Sequence, residues 1–150
     1  MPGTFSQILL HVVFSTKHRT PWMTPEIADR LYAYIGGIIR AENGVLYAIG
    51  GVEDHVHLYF RWRTDSPVSD LMRIVKSRSS KWIHETFPDL SMFAWQEGYS
   101  VFSVSKSQEE AVKRYIATQR EHHAKEDFQS EVLKLLRAHQ IEFDEKYVFD

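Results

Sequence analysis

The amino-acid sequence predicts an α+β fold, a ferredoxin-like βαββαβ antiparallel sheet with extra C-terminal helices. Four short stretches alternate between apolar and polar residues, which is the two-residue period of β-strands. Two longer stretches with apolar residues at helical spacing separate the first strand from the second and the third from the fourth. Elements in this order form the split βαβ arrangement, with both helices on one face of the sheet. We expect the 150 residues to form a single domain, residues 1–150.

The first half of the chain is expected to contain three strands and one helix. Residues 5–14 alternate and form the first strand. Thr24 caps a helix that has Pro at its first position, and Asn43-Gly44 ends that helix. Residues 45–49 form a short second strand, and residues 55–63 return beside it as a hairpin.

The second half is expected to contain three helices and the fourth strand. A helix begins after Asp65-Ser66-Pro67, and Phe87-Pro88-Asp89 stops it. Residues 99–104 alternate again and form the fourth strand. A Ser cap followed three residues later by Glu starts a helix over residues 107–123, and a last helix spans residues 128–139.

The composition excludes several classes of protein. Hydrophobic residues make up 43% of the chain and charged residues 25%, as in soluble globular proteins. The absence of cysteine excludes a disulfide framework, a thiolate zinc site and a cysteine nucleophile. The first residues lack the pattern of a signal peptide, and no apolar stretch approaches the length of a membrane span. We therefore expect a cytoplasmic protein with no membrane partner.

The third strand has an unusual polar face. Because side chains alternate along a strand, one face carries His55, His57, Tyr59, Arg61 and Arg63. Two imidazoles two residues apart lie side by side and can bind one metal ion. Such a pair also occurs by chance on a half-exposed strand. We expect this face to lie on the helix-free side of the sheet, exposed to solvent unless the third helix covers it.

The third helix carries a second group of polar residues. Tyr115 and Gln119 are four residues apart and therefore share one face of a helix. The Gln119 amide oxygen and the imidazoles of His55 and His57 would give a divalent ion three ligands. Mg²⁺ prefers oxygen ligands, and a site with two imidazoles also suits Mn²⁺. The Tyr115 phenol would then lie beside a bound phosphate.

Basic residues outside this group are candidates for contacts with nucleic-acid phosphates, although the net charge is −2. The segment of residues 71–84 contains four basic residues and no acid. Such a run is also typical of an ordinary solvated helix face. The candidate DNA-binding residues are Lys17, Arg19, Arg61, Arg63, Arg73 and Lys76.

The two motifs together resemble the single-tyrosine HUH transposases of small insertion sequences, including their REP-associated relatives. The matching residues are His55-Val56-His57 as the HUH motif and the Tyr115…Gln119 pair on the third helix. His122-His123 after that helix, Asp54 before the HUH motif and the segment Trp95-Gln96-Glu97-Gly98-Tyr99 are also similar to this family. The order and spacing of these residues fit along nearly the whole chain.

The resemblance implies an activity and a set of roles. It implies that Tyr115 is the nucleophile, and that His55, His57 and Gln119 bind Mg²⁺ or Mn²⁺. Tyr115 would attack single-stranded DNA at element ends that carry hairpins, giving a 5′-phosphotyrosine link and a free 3′-OH. Family members are homodimers, so the resemblance implies a homodimer here.

Several alternatives remain open at the level of sequence. The protein could be a domesticated REP-associated tyrosine transposase that processes chromosomal hairpins. It could be a non-catalytic single-stranded DNA-binding protein, or a structural dimer with a surface histidine pair. Tyr59 is a rival nucleophile, because it shares the strand face of His55 and His57.

Overall fold

A four-stranded antiparallel sheet forms the centre of the computed structural model, which describes residues 3–149. The strands are β1 (Ile8–Ser15), β2 (Val45–Val52), β3 (His55–Trp62) and β4 (Ser100–Ser103). Their order across the sheet is β2-β3-β1-β4, with every neighbouring pair antiparallel. The predicted ferredoxin-like α+β fold is confirmed.

Five α-helices accompany the sheet within the described residues. They are α1 (Pro25–Ala41), α2 (Val68–Thr86), α3 (Glu109–Ala117), α4 (Gln119–His123) and α5 (Phe128–Ala138). Short 3-10 turns span Lys17–Arg19, Pro88–Leu90 and Lys106–Gln108. None of the described helices combines the length and the apolar character that crossing a bilayer requires.

The helices α1 and α2 cover one face of the sheet and bury the main apolar core. Val56, Leu58 and Phe60 of β3 point into this core, where each is fully buried. The loop before β4 also belongs to this core: Trp95 is buried, and its Nε1 donates to the Ser79 hydroxyl at 2.9 Å. Apolar burial on this face follows directly from the alternation of β3.

The opposite face of the sheet is covered as well, by residues of α3, α4 and α5. His55, His57 and Tyr59 have no exposed surface there. The third helix and its neighbours therefore cover the histidine end of this face, which is not exposed to solvent, whereas Arg61 near the other end of β3 is exposed. Ile116 of α3 packs on Tyr59, and Phe128 of α5 lies with its ring centroid 4.8 Å from that of His55.

The predicted single helix over residues 107–123 is also wrong in two respects. Ser107 does not cap it, because its hydroxyl bonds to that of Ser105 at 2.9 Å and a 3-10 turn precedes α3. Thr118 has φ −107° and ψ 26°, which interrupts the helix between α3 and α4. The Thr118 hydroxyl donates to the carbonyl of Arg114 at 2.9 Å at this break.

Gly50 in β2 sets how closely α3 approaches the sheet. A Cβ atom at this position would lie 2.6 Å from the carbonyl oxygen of Ile116. Side chains essentially never come that close to backbone, so only glycine allows α3 to lie directly against β2. The close approach positions the segment that carries Tyr115 over the histidines of β3.

Candidate active site

His55 and His57 direct their Nε2 atoms to one point beneath α3, α4 and α5. The Nδ1 of His55 lies 2.7 Å from Oδ1 of Asp54 and donates to it. The Nδ1 of His57 lies 2.8 Å from Nε2 of His11, a buried residue of β1. Partners on both Nδ1 atoms fix the orientation of the rings, as is typical of histidines that bind metals.

The carboxylate of Glu131, on α5, lies at the point where these nitrogens converge. Its Oε1 is 3.2 Å from Nε2 of His55 and 3.1 Å from Nε2 of His57. The same oxygen is 3.1 Å from Nε2 of His123. Glu131 is 3% exposed, so this is a buried charge with three imidazole partners.

Tyr115 and Gln119 reach the same carboxylate from the other side. The Tyr115 hydroxyl donates a very short hydrogen bond to Oε2 of Glu131. The Gln119 side-chain amide donates to that oxygen at 3.1 Å, while its own Oε1 lies 3.0 Å from Nε2 of His55. All four residues of the two sequence motifs therefore meet at one cluster, although α3 and α4 are separate helices.

The cluster holds opposite charges in a buried environment. Burial alone would lower the pKa of His55, but hydrogen bonds to Asp54 and Glu131 outweigh it and raise the pKa to about 9. Burial would raise the pKa of Glu131, but hydrogen bonds from His55 and His57 hold it well below the usual range. His55 is therefore cationic and Glu131 anionic at neutral pH.

His57, His11 and Tyr115 are neutral members of the cluster. Burial lowers the pKa of His57, and it also lowers the pKa of His11, to about 3. Burial and then the hydrogen bond to Glu131 raise the pKa of the Tyr115 phenol. The phenol is thus protonated in this arrangement, and an added cation would be needed to favour its ionisation.

The donor atoms fit a divalent metal ion. One ligand atom each from His55, His57 and Glu131 can be chosen so that all three lie within 4.8 Å of one another. Imidazole nitrogen together with carboxylate and amide oxygen is a ligand set that suits Mn²⁺, and the oxygens suit Mg²⁺. An ion at this point would replace the proton that His55 carries, since metal binding requires a neutral imidazole.

Tyr59 lies outside this cluster. Its hydroxyl donates to Oε2 of Glu109 at 2.6 Å, at the start of α3. Burial and then this hydrogen bond raise the pKa of the phenol. Because the hydroxyl pairs with Glu109 and not with Glu131, the structure separates the rival tyrosine from the histidine pair.

The six basic candidates are distributed over several elements. Lys17, just after β1, and Arg61, near the end of β3, are exposed. The guanidinium of Arg19 lies 5.7 Å from the centroid of the Phe149 ring. The remaining three residues make contacts within the protein. These are Arg63 with Glu42 and Asp65, Arg73 with Asp70, and Lys76 with the carbonyls of Gln96, Glu97 and Gly98.

Two residues of the cluster were not identified from the sequence, Glu131 and His11, whereas His123 was named only as part of the family resemblance. The sequence could have indicated that Glu131 is buried, since it is an acid within the apolar stripe formed by Phe128, Val132 and Leu135. His11 likewise interrupts the apolar residues of the first strand. Neither pattern identifies the distant residue that the side chain contacts, because this contact depends on how α5 and β1 are placed in the fold.

Comparison with known proteins gives consistent results. Residues 4–119 match the protein family described as "Transposase IS200 like". The chain is 24% identical over 123 residues to the ISDra2 transposase TnpA of Deinococcus radiodurans, covering 78% of this chain and 87% of that protein. The matched family region contains His55, His57, Tyr115 and Gln119, whereas Glu131 lies beyond it.

Two solved structures have a similar fold. A structure described as a transposase of Deinococcus radiodurans R1 superposes with a TM-score of 0.67 and 24% identity, covering 79% of this chain and 95% of that one. A REP-associated tyrosine transposase bound to a REP hairpin superposes with a TM-score of 0.61 and 13% identity, covering 82% and 73%. Because the family match spans most of the chain, this protein belongs to the IS200-like transposase family.

Proposed function

We propose that this transposase cleaves and rejoins single-stranded DNA through a 5′-phosphotyrosine link on Tyr115, with the help of a divalent metal ion. One observation carries the proposal. The Tyr115 hydroxyl bonds to the same buried carboxylate that contacts Nε2 of His55 and His57. A nucleophile and a potential metal site thus share one point, where a scissile phosphate could contact both.

The reaction exchanges one phosphate ester for another. The Tyr115 oxygen attacks phosphorus, the bond between phosphorus and the 3′ oxygen breaks, and the 3′ oxygen takes up a proton. Oε2 of Glu131 is the acceptor already in contact with the phenolic proton. A bound Mg²⁺ or Mn²⁺ supplies charge that stabilises the phosphoryl group and the leaving oxygen. Rejoining reverses these steps with a 3′-OH from another strand.

His55, His57 and Gln119 are the proposed metal ligands, and Glu131 is a fourth candidate. The Gln119 amide oxygen and the Glu131 carboxylate both lie within 3.2 Å of Nε2 of His55. Glu131→Gln keeps the size of the side chain and removes its charge. We expect this variant to bind Mn²⁺ more weakly by calorimetry while remaining folded. Unchanged affinity would remove Glu131 from the ligand set and leave the three-residue set of His55, His57 and Gln119.

The proposed substrate is single-stranded DNA that carries a hairpin. The similar REP-associated transposase is bound to a hairpin, which supports this choice. Arg73 and Lys76 line a groove of about 510 Å³ between α2 and the loop before β4, where a duplex stem could contact them. Lys17, Arg19, Arg61 and Arg63 are further candidates. Binding should weaken with added salt, and a plain duplex should compete poorly against the hairpin in gel shifts.

A homodimer is part of the proposal and is tested separately. Light scattering at micromolar concentration should give twice the mass of the chain, and a monomer that retains activity would contradict it. A domesticated REP-associated role is the second candidate, favoured by the likeness to the hairpin-bound structure. Element ends with hairpins flanking the gene would favour a mobile element instead.

The decisive experiment is the covalent adduct. The protein is incubated with hairpin-bearing single-stranded oligonucleotides and Mn²⁺, and mass spectrometry locates the attached nucleotide. We expect it on Tyr115, with none formed by Tyr115→Phe or in EDTA. Tyr59→Phe is the matched control and should still form the adduct. An adduct on Tyr59 or on a serine would overturn the mechanism, and DNA binding without any adduct would favour a non-catalytic binding protein.

A further inference from the structure

A groove of about 660 Å³ opens beside Tyr115, between α3 and α5 and along β4. Its floor consists of buried side chains, His11, Phe102 and Glu131, and Tyr115 lies at its inner end. The volume lies within the range that small organic ligands occupy in proteins. Tyr115 and Glu131 take part in the proposed strand exchange, but the other residues that line this groove have no part in it.

The walls of the groove favour a flat, uncharged group. Ala111 and Val112 of α3 face Leu135 and Ala138 of α5 across it. The ring of His139 stacks on Phe102, with centroids 4.5 Å apart and planes at 22°, so aromatic stacking already occurs on this floor. Unpaired nucleobases bind proteins largely by stacking on aromatic side chains.

The charges of the groove exclude a phosphate from its interior. Glu131 and Glu126 both line it, and Lys134, the one lysine among its lining residues, is paired with Glu126 at 2.6 Å. A phosphodiester would therefore bind poorly beside Glu126 and its paired Lys134, whereas beside Tyr115 the charge of Glu131 is offset by His55. Only the base of a nucleotide suits the apolar part.

We propose that this groove binds one unpaired nucleobase, next to the phosphate that Tyr115 attacks. The inference deepens the proposed function, on which it rests, by naming the part of the DNA that α3 and α5 recognise. Much of the outer wall comes from α5, which lies beyond the region that matches the family. The wall formed by α3 and β4 lies within the matched region, and the C-terminal segment adds the wall formed by α5.

Nucleotide titration tests the groove without requiring cleavage. The full chain is titrated with deoxyadenosine 5′-monophosphate and with 2-deoxyribose 5-phosphate, and backbone amide shifts are followed by NMR. We expect shifts at Ser103, Ala111 and Ala138 with the nucleotide and not with the sugar phosphate. Equal shifts with both ligands, or none with either, would overturn the proposal. Shifts of these amides on concentrating the protein alone would show that a second copy occupies the groove, which also overturns it.

A matched pair of variants sharpens this titration. Ala111→Trp places an indole in the groove and should weaken nucleotide binding about tenfold or more, since stacking on an aromatic floor supplies binding of this size. Ala33→Trp makes the same change at an exposed position of α1, on the other side of the sheet, and should leave binding unchanged. Equal affinity in both variants would contradict the location.

Abasic oligonucleotides then identify the base. An abasic residue is placed on the 5′ or the 3′ side of the cleaved bond, and adduct formation at Tyr115 is measured. In the wild type, one of the two abasic substrates should form the adduct about tenfold or more slowly than the intact oligonucleotide. In Ala111→Trp, the same abasic substrate and the intact oligonucleotide should react at equal rates. Full rates with both abasic substrates would overturn the proposal. If no oligonucleotide forms an adduct, strand transfer is wrong, while the nucleotide titration still decides the groove.

Discussion

The two faces of the β-sheet are both buried, but different interactions stabilise them. On the face toward α1 and α2, β3 contributes Val56, Leu58 and Phe60 to an apolar core. On the face toward α3, α4 and α5 it contributes His55 and His57, whose ring nitrogens all have partners. Within residues 3–149, no buried side-chain nitrogen or oxygen lacks a hydrogen-bond partner.

Strand β3 thus presents one face that contributes to stability and one face that carries the proposed metal ligands. Apolar burial is non-directional, so the first face tolerates small shifts and contributes most of the stability. The second face depends on directed contacts, and removing one partner leaves a buried polar group unsatisfied. Substitutions on the first face should therefore change the free energy of unfolding, whereas those on the second should change metal binding and cleavage.

The largest effect is expected from His57→Ala on the polar face. The change removes one proposed ligand and deprives His11 and Glu131 of a partner each. We expect Mn²⁺ affinity by calorimetry to fall more than about 100-fold, because loss of even an outer partner costs ten- to a hundredfold. Cleavage should be undetectable in protein that circular dichroism shows to be folded. Full Mn²⁺ affinity would place the metal elsewhere.

Leu58→Ala tests the apolar face at the neighbouring position. It should lower the free energy of unfolding by about 2–5 kcal/mol in urea denaturation, the usual result for a fully buried leucine. Adduct formation per folded molecule should stay unchanged. Val45→Ala, at an exposed position of β2, is the control and should change stability by less than about 0.5 kcal/mol. A loss of specific activity in Leu58→Ala would show that the two faces are coupled.

Asp54→Asn should have a smaller effect, confined to the orientation of His55. Asp54 accepts from Nδ1 of His55 at 2.7 Å, and an amide replaces the carboxylate in this contact. We expect a roughly ten- to hundredfold loss of Mn²⁺ affinity with the fold retained. The control is Asp65→Asn, where the carboxylate pairs with Arg63 at an exposed site and affinity should not change. Equal results in both variants would remove the orienting role of Asp54.

Gly50→Ala is expected to show the smallest change and tests how the polar face is assembled. The added Cβ would lie 2.6 Å from the carbonyl of Ile116, so α3 must move away from β2. We expect a loss of about 1–3 kcal/mol in stability and slower adduct formation per folded molecule. Gly37→Ala in α1 meets open space and should be neutral or stabilising by about 0.5–1 kcal/mol. Unimpaired adduct formation in Gly50→Ala would mean that the position of Tyr115 tolerates this shift.

The amino-acid sequence by itself determined the order of strands and helices and the residues of both motifs. Alternation in β3 separated the apolar residues from His55 and His57, because side-chain direction along a strand has a fixed period. Tyr115 and Gln119 could be related to each other because four residues make about one helical turn. These are local relations, which spacing along the chain encodes.

Only the tertiary structure decided which distant groups meet. Glu131 is 74 residues from His57, and its position depends on how α5 packs over the sheet. The break at Thr118 and the burial of His55, His57 and Tyr59 likewise depend on the packing of α3 and α4 against β2 and β3. Spacing cannot encode such contacts, since they arise from the shape and polarity of surfaces that form only when the chain has folded.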